Sequence, residues 1–149
     1  MAVEAERTVT IAAAPDRVLA VVRDVADQPS WWPGVRSSEV LEHDDQGRVL
    51  RATIGSDVKV ATDTFEVAYT HTDNGVSWEL VGSSLAQRHQ RGSWTLAGAD
   101  DPASGTGTTD VTLRLELEAS LPLPKLVQRR IVRDTVVGAL AGLKARCEA

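Results

Sequence analysis

The sequence predicts an α+β fold in which a seven-stranded antiparallel sheet wraps around one long C-terminal helix. Leu123 to Cys147 carries apolar residues at helical spacing, with prolines only around its start. Six segments of period-two alternation precede this helix with no helical pattern between them, which favours antiparallel pairing. A further strand and two short helices open the chain. We therefore expect residues 1–149 to form a single domain.

The opening elements are a strand and a pair of short helices. Val3 to Ala12 alternates toward its end, as a strand does. Pro15 suits a first helical turn, and valines recur at helical spacing from there to Val25. A second short turn, capped by Asp27, is expected to end at Pro33-Gly34.

Beyond Gly34, turn-forming residues divide the chain into six predicted strands. The strands are Val35–His43, Arg48–Ile54, Val58–Thr70, Val76–Val81, Gln87–Leu96 and a last one through Val111 to Leu117. Gly55-Ser56-Asp57 is interpreted as a turn, and Ala99 to Thr109 as a polar loop. The apolar parity changes between Val60 and Phe65, which indicates a bulge or bend, or a strand covered on both faces.

The long helix is predicted to bury a wide arc that is rich in small residues. One stripe holds Val132, Val136, Ala139, Leu140, Leu143 and Cys147. A neighbouring face, called the small sector here, holds Val127, Ile131, Thr135, Gly138, Gly142 and Ala145. Each glycine costs about 1 kcal/mol of helix propensity relative to alanine, so close packing or space for a ligand must offset it. Space for a ligand would mean a cavity of roughly 300–1,000 Å³ between helix and sheet.

Charge and composition exclude several classes of partner. The net charge of −5 argues against nucleic acid as the main partner. No signal peptide and no long apolar run is visible, so we expect a cytoplasmic monomer or weak homodimer without stable membrane insertion. The single cysteine fits a reducing compartment. The three histidines lack metal-ligand spacing, so neither a metal nor another cofactor is expected.

Several short segments of the sequence resemble those of a known protein family. They are Ala13–Val18 with Ser30–Val35, Ser77–Leu80 with Gly92–Leu96, and Leu121–Pro124 leading into a helix that ends at Leu140–Lys144. In order and spacing these resemble the START-like (SRPBCC) superfamily, in particular its polyketide cyclase/dehydrase and coenzyme Q-binding branch. The resemblance implies the helix-grip fold, also called Bet v 1/START-like, and a cavity for lipids, quinones or polyketide-like aromatics.

Tryptophans are the first candidates for the wall of such a cavity. Trp78 and Trp94 share the apolar parity of their strands, so both are expected to be buried and to face the helix, as cavity wall or as plain core. Trp31 and Trp32 are adjacent on a short turn and are not expected to point inward together. One of them would gate the cavity while the other is exposed.

Polar candidates lie on the strand that contains Trp94. Arg88 and Gln90 share its parity and would point inward, unless a shift of one residue turns His89 and Arg91 inward instead. The predicted ligand-binding residues are Trp32, Phe65, Tyr69, Trp78, Leu80, Arg88, Gln90, Trp94, Leu113, Ile131, Thr135, Gly138 and Gly142.

Three functions remain open at the level of sequence. The preferred one is a carrier of a hydrophobic small molecule, in a cavity between the sheet and the C-terminal helix. The first alternative, implied by the resemblance, is an aromatase/cyclase- or dehydrase-type enzyme that uses a pocket Arg88 with Tyr69. The short segment after Trp32 lacks the tyrosine which that subgroup resemblance implies, and this weakens the enzyme reading. The second alternative is a structural or partner-binding domain with a filled core.

Overall fold

The computed structural model describes residues 2–58, 61–101 and 106–149. The strands are β1 (Val3–Ile11), β2 (Val35–His43), β3 (Val49–Val58), β4 (Ala61–Thr72), β5 (Gly75–Leu80), β6 (Gln87–Asp101) and β7 (Thr106–Ala119). The helices are α1 (Pro15–Arg23), a 3₁₀ helix (Val25–Ser30) and α2 (Lys125–Glu148). Within the described residues, the strands form one antiparallel sheet in the order β1-β7-β6-β5-β4-β3-β2. The predicted α+β fold is confirmed.

Helix α2 packs chiefly against β1 and β7, at one side of the sheet. The predicted stripe is confirmed, since all of its residues are buried: Val132, Val136, Ala139, Leu140, Leu143 and Cys147. The small sector is less buried than predicted, because Ile131, Thr135, Gly138 and Gly142 are half-buried while Val127 and Ala145 are exposed. The 3₁₀ helix lies against β2 at the other side. Between α2 and the 3₁₀ helix, the inner face of the sheet is contacted by Trp31 and Trp32, which follow the 3₁₀ helix.

The predicted turn at Gly55-Ser56-Asp57 is wrong, because β3 continues to Val58 without a break. Gly55 pairs with Ser37 of β2 and with Thr64 of β4, so it lies inside the sheet, and a Cβ atom there would require only the Ser37 hydroxyl group to rotate away. Val58 therefore belongs to β3 and Phe65 to β4, and the change of apolar parity marks a hairpin rather than a bulge or bend. The connection between these strands lies outside the described residues.

The predicted polar loop between Ala99 and Thr109 is largely strand. β6 and β7 pair as far as Asp101 with Thr106, since an antiparallel ladder satisfies backbone groups whatever the side chains are. The remainder of the predicted loop, residues 102–105, lies outside the described residues. Across the described parts of the chain, no helix is both long and apolar enough to cross a membrane.

The two glycines of the small sector differ in their surroundings, which gives a matched pair of variants. A Cβ atom at Gly142 would collide with the backbone carbonyl oxygen of Trp31, whereas one at Gly138 would meet only Pro33 Cγ at 3.8 Å. Gly138→Ala should raise the free energy of unfolding by about 0.5–1 kcal/mol through helix propensity. Gly142→Ala should lower it by about 1–3 kcal/mol, because overpacking outweighs the same gain. Urea unfolding measures both, and equal responses would contradict this difference.

Candidate functional site

Four tryptophans, called the tryptophan cluster here, pack together over the inner face of the sheet. Trp78 on β5 and Trp94 on β6 are 6% and 2% exposed, which confirms that both are buried. Trp32 meets Trp78 and Trp94 edge to face, with ring centroids 5.9 and 5.6 Å apart. Trp31 meets Trp94 at 5.8 Å. Edge-to-face geometry places a positive ring edge against a negative ring face, so these contacts are favourable.

The expectation that only one of Trp31 and Trp32 points inward is wrong. Their rings stack at 5.7 Å with 28° between the planes, and both contact Trp94. Adjacent side chains can turn the same way here because this segment is neither strand nor regular helix. Trp31 is buried, and its indole N–H has no hydrogen-bond partner in the described residues. Trp32 is only half-buried.

The inner face beside the cluster is less tightly covered than the core under α2. Exposed fractions are 0–1% for Val132, Val136 and Leu143 of the stripe. Those of the residues facing the cluster are higher: Phe65 9%, Tyr69 8%, Trp78 6%, Leu80 8% and Gln90 9%. The difference is small, since all of these residues are buried, and Val67 and Trp94 on the same face are only 1% and 2% exposed.

A chain of buried hydrogen bonds runs through this inner face. Trp78 Nε1–H donates to Gln90 Oε1 at 2.7 Å, and the Gln90 amide donates to Gln87 Oε1. Gln87 Nε2 then donates to the carboxylate of Asp63 at 3.0 Å. Asp63, only 2% exposed, also accepts from Ser84 Oγ at 2.7 Å and from a backbone N–H. Every donor points toward the carboxylate, so the chain has one orientation and satisfies its buried polar groups.

The inward orientation predicted for Arg88 is wrong, because its side chain is exposed. The pairing of β6 with β7 shifts its register between Gln87 and His89. Arg88 therefore does not follow the inward–outward alternation of β6, and its side chain points to solvent. The alternative, with His89 and Arg91 inward, is wrong too. Arg91 is exposed beside Glu79 at 3.6 Å, and His89 is half-buried beside Glu116 at 3.3 Å. Gln90 is buried as predicted.

Tyr69, the partner proposed for Arg88, is buried on β4 and interacts with the side chain of Gln28 from the 3₁₀ helix. Burial raises the pKa of Tyr69 well above its ordinary value of 10.0, because the phenolate would lose its hydration, and the hydrogen bond to Gln28 offsets this only in part. The phenol therefore stays neutral at physiological pH. The predicted pair of a pocket arginine with this tyrosine is not assembled.

The remaining predicted site residues divide into two environments. Leu113 on β7 is fully buried. On the small sector, the hydroxyl group of Thr135 donates to the Ile131 carbonyl oxygen at 2.8 Å, within its own helix. Gly142 lies against the Trp31 backbone, and Gly138 approaches Pro33 at an ordinary distance. The sector therefore faces the Trp31–Pro33 segment rather than the strands.

The two best-formed hollows among the described residues both lie on the surface, not between helix and sheet where a cavity was expected. One, of about 410 Å³, lies between α1 and the end of α2 beside Arg17, Asp27 and Arg146. The other, of about 350 Å³, lies between β1 and the start of α2. The expected position is occupied by the tryptophan cluster, whose bulk the small sector alone could not reveal.

The sequence suggests Asp63 only as a partner for an inward arginine, and it gives no site role to Gln28 and Gln87. A signal for Asp63 exists, since it shares strand parity with Phe65 and Tyr69 and so must face inward with them. Gln28 and Gln87 carry no such signal, because one lies on a short 3₁₀ helix and the other borders a bulge. No group of three or more His, Cys, Asp or Glu in the described ranges is arranged to hold a metal ion.

A seven-stranded antiparallel sheet, with two short helices after its first strand and a long C-terminal helix, defines the START-like class of proteins. The chain belongs to the family described as polyketide cyclase / dehydrase and lipid transport, whose sequence model matches residues 2–148. No curated protein matches it significantly.

Solved structures share this fold at low sequence identity. A START superfamily protein from Mycobacterium smegmatis has a TM-score of 0.86 at 19% identity, covering 97% of each chain. The ZhuI aromatase/cyclase from Streptomyces sp. R1128 has 0.76 at 18%, covering 99% of this chain and 94% of its own. The di-domain ARO/CYC BexL from the BE-7585A biosynthetic pathway has 0.67 at 17%, covering 99% of this chain and 50% of BexL.

Asp63→Asn tests the buried hydrogen-bond chain. The amide would present a donor where three donors now converge, so the free energy of unfolding should fall by about 1–3 kcal/mol. The matched control is Asp57→Asn, which weakens an exposed ion pair with Arg36 and an exposed hydrogen bond from Thr62, and it should cost less than about 1 kcal/mol. Urea unfolding compares the two, and similar losses would show that the chain contributes little.

Alkaline titration tests the environment of Tyr69, which is the only tyrosine of the chain. Since its pKa is raised in the folded state, stability from this group is complete below about pH 10 and is lost progressively as the pH rises further. Tyrosinate absorbance should therefore appear near pH 10 only in urea-unfolded protein. Ionisation at that pH in the folded protein would contradict the buried position.

Proposed function

We propose that the chain binds a hydrophobic small molecule, such as a lipid, a quinone or a polyketide-like aromatic, and carries it without converting it. The observation behind the proposal is the uneven cover of the interior. The face of β4 to β6 beside the tryptophan cluster is covered by the half-buried ring of Trp32 on an irregular segment, while the core under α2 is covered by a regular helix. An apolar face covered by one ring on an irregular segment is easier to open to a ligand than a face packed under a helix.

Under this proposal Trp32 is a displaceable plug. It is the half-buried member of the cluster and lies on the irregular segment before β2, whereas Trp78 and Trp94 are held in the sheet. Moving this ring away from Trp78 and Trp94 would open a space against the inner face. A ligand oxygen could then accept the buried N–H of Trp31, which otherwise costs about 1–3 kcal/mol as an unpaired donor.

The residues proposed to contact the ligand are those of the inner face and the small sector that meet this space. They are Trp31, Trp32, Phe65, Tyr69, Trp78, Leu80, Gln90, Trp94, Ile131, Thr135, Gly138 and Gly142. Within this set, Gln90 is held by Trp78 and Gln87 and presents a fixed polar atom beside aromatic walls. Leu113 would support the wall from deeper in the core.

Carriage is favoured over catalysis by the chemistry of the polar groups. A cyclase or dehydrase needs a positioned acid and base with suitable pKa values. Here Tyr69 remains a neutral phenol and Arg88 is exposed on the other side of the alternation. Two similar structures are aromatase/cyclases, and they support the enzyme alternative only through the fold, since their identities to this chain are 18% and 17%.

The second candidate is a structural or partner-binding domain with a filled core. The observation that favours it is the tryptophan cluster itself, whose rings occupy the space between the sheet and the segment before β2 at contact distance. The two candidates differ in whether Trp32 can leave this position.

Trp32→Ala separates the two candidates. Three probes are titrated by calorimetry and native mass spectrometry: oleic acid, a naphthoquinone and a hydroxyanthraquinone. If Trp32 is a displaceable plug, at least one probe binds the wild-type protein, and the variant binds it about tenfold more tightly because no ring must be moved first. Gly138→Leu should weaken the same binding, while Gly138→Ala should leave it unchanged.

A filled core predicts a different pattern. Wild-type protein would then bind none of the probes, and any binding by Trp32→Ala would reflect only the cavity that the substitution creates. Turnover of the hydroxyanthraquinone or of a polyketide substrate that Tyr69→Phe abolishes would instead favour the enzyme.

A further inference from the structure

The start of α2 presents positive charges that have no partner. Lys125, Arg129 and Arg130 form no hydrogen bond or ion pair with any described residue. Positions 120–133 hold four basic residues and no acidic one, although the chain as a whole has a net charge of −5. The first turn of α2 contains no acidic residue, and a cation there opposes the helix dipole. Helix stability therefore does not account for this charge.

Exposed aliphatic side chains lie at the same end of the molecule. Leu126 is 71% exposed on the first turn of α2, and Leu123 just before the helix is 37% exposed. Leu85, 76% exposed, belongs to the neighbouring loop, which Ser120 joins to this end through hydrogen bonds to Leu85 and Ala86. We call Leu85, Leu123, Lys125, Leu126, Arg129 and Arg130 the basic-apolar patch. Exposed aliphatic side chains that lie close together are unfavourable in water. Such a patch is typical of an interaction surface.

A surface groove extends the patch toward the edge strand β1. It measures about 350 Å³, and its lining includes four arginines, Arg7, Arg129, Arg130 and Arg133. The groove also contains Glu4, which pairs with Arg114 at 2.8 Å, and Arg133 has Asp134 at 3.3 Å. Arg129 and Arg130 therefore have no partner among the described residues that would compete with an anion bound in this groove.

We propose that the basic-apolar patch docks the protein on an anionic lipid surface. Lipid phosphates would lie against the arginines of the groove, and Leu123 and Leu126 would enter the boundary between headgroups and acyl chains. Cations and aliphatic side chains side by side match the two layers that a membrane offers at this depth. A nucleic acid would use the charge but not the leucines, and the patch has no aromatic side chain for base stacking.

The position of the patch relates it to the interior without making it depend on the proposed carrier function. Val127 lies beside Leu126 and, at helical spacing, begins the row that continues to Ile131 and Thr135. A docked molecule would therefore bring the helix residues that border its interior close to the lipid. Docking requires only the basic-apolar patch, so the docking proposal can be correct even if the protein binds no ligand in its interior.

Flotation of the full chain with vesicles tests the proposal. Wild-type protein should bind phosphatidylcholine vesicles that contain phosphatidylglycerol, bind pure phosphatidylcholine weakly, and be released by high salt. Arg129→Gln with Arg130→Gln should lower the partition coefficient by about 25-fold, at about fivefold per charge. Leu126→Gln should lower it by about three- to tenfold, because less apolar area enters the interface.

Matched controls carry equal changes elsewhere on the surface. Arg36→Gln with Arg91→Gln removes two exposed arginine charges, and Leu41→Gln replaces an exposed leucine of β2. Both controls should keep wild-type partitioning within about twofold, since neither site faces the lipid. Equal loss in controls and patch variants, no preference for anionic vesicles, or binding of a DNA oligonucleotide in place of vesicles would each overturn the proposal.

Discussion

The arrangement of the interior depends on one close contact, between helix α2 and the main chain of Trp31. Gly142 permits it, since any side chain at that position would collide with the Trp31 carbonyl oxygen. The contact holds the segment before β2 down over the sheet, and this places Trp31 and Trp32 against Trp94. The glycine's cost in helix propensity, about 1 kcal/mol, is repaid by packing at this point.

Helix α2 has two halves that differ in burial. Its C-terminal half buries a continuous stripe against β1 and β7 and belongs to the core. Its N-terminal half keeps Leu126, Arg129 and Arg130 in solvent, and Ile131 and Thr135 are half-buried. Both proposals arise from this difference, since the half-buried residues border the interior and the exposed residues form the proposed docking surface.

The polar groups of the interior form one oriented chain of hydrogen bonds. Trp78, Gln90 and Gln87 donate in sequence toward Asp63, which accepts three hydrogen bonds within its buried position. A fully satisfied chain of this kind makes the inner face rigid and fixes the orientation of each amide. Tyr69, whose pKa is raised by burial, adds a neutral phenol to this face.

The sequence by itself determined the features that repeat with a fixed period. Alternation identified the strands and the inward position of Trp94, and helical spacing identified the buried stripe, because burial on one face leaves a regular trace in the chain. Tertiary structure alone decided what depends on a partner distant in sequence. The bulge that turns Arg88 outward arises from pairing with β7, and Gly55 lies within β3 between β2 and β4 rather than in a turn. The same holds for Trp31 and Trp32, since only the approach of α2 and the sheet directs both rings inward.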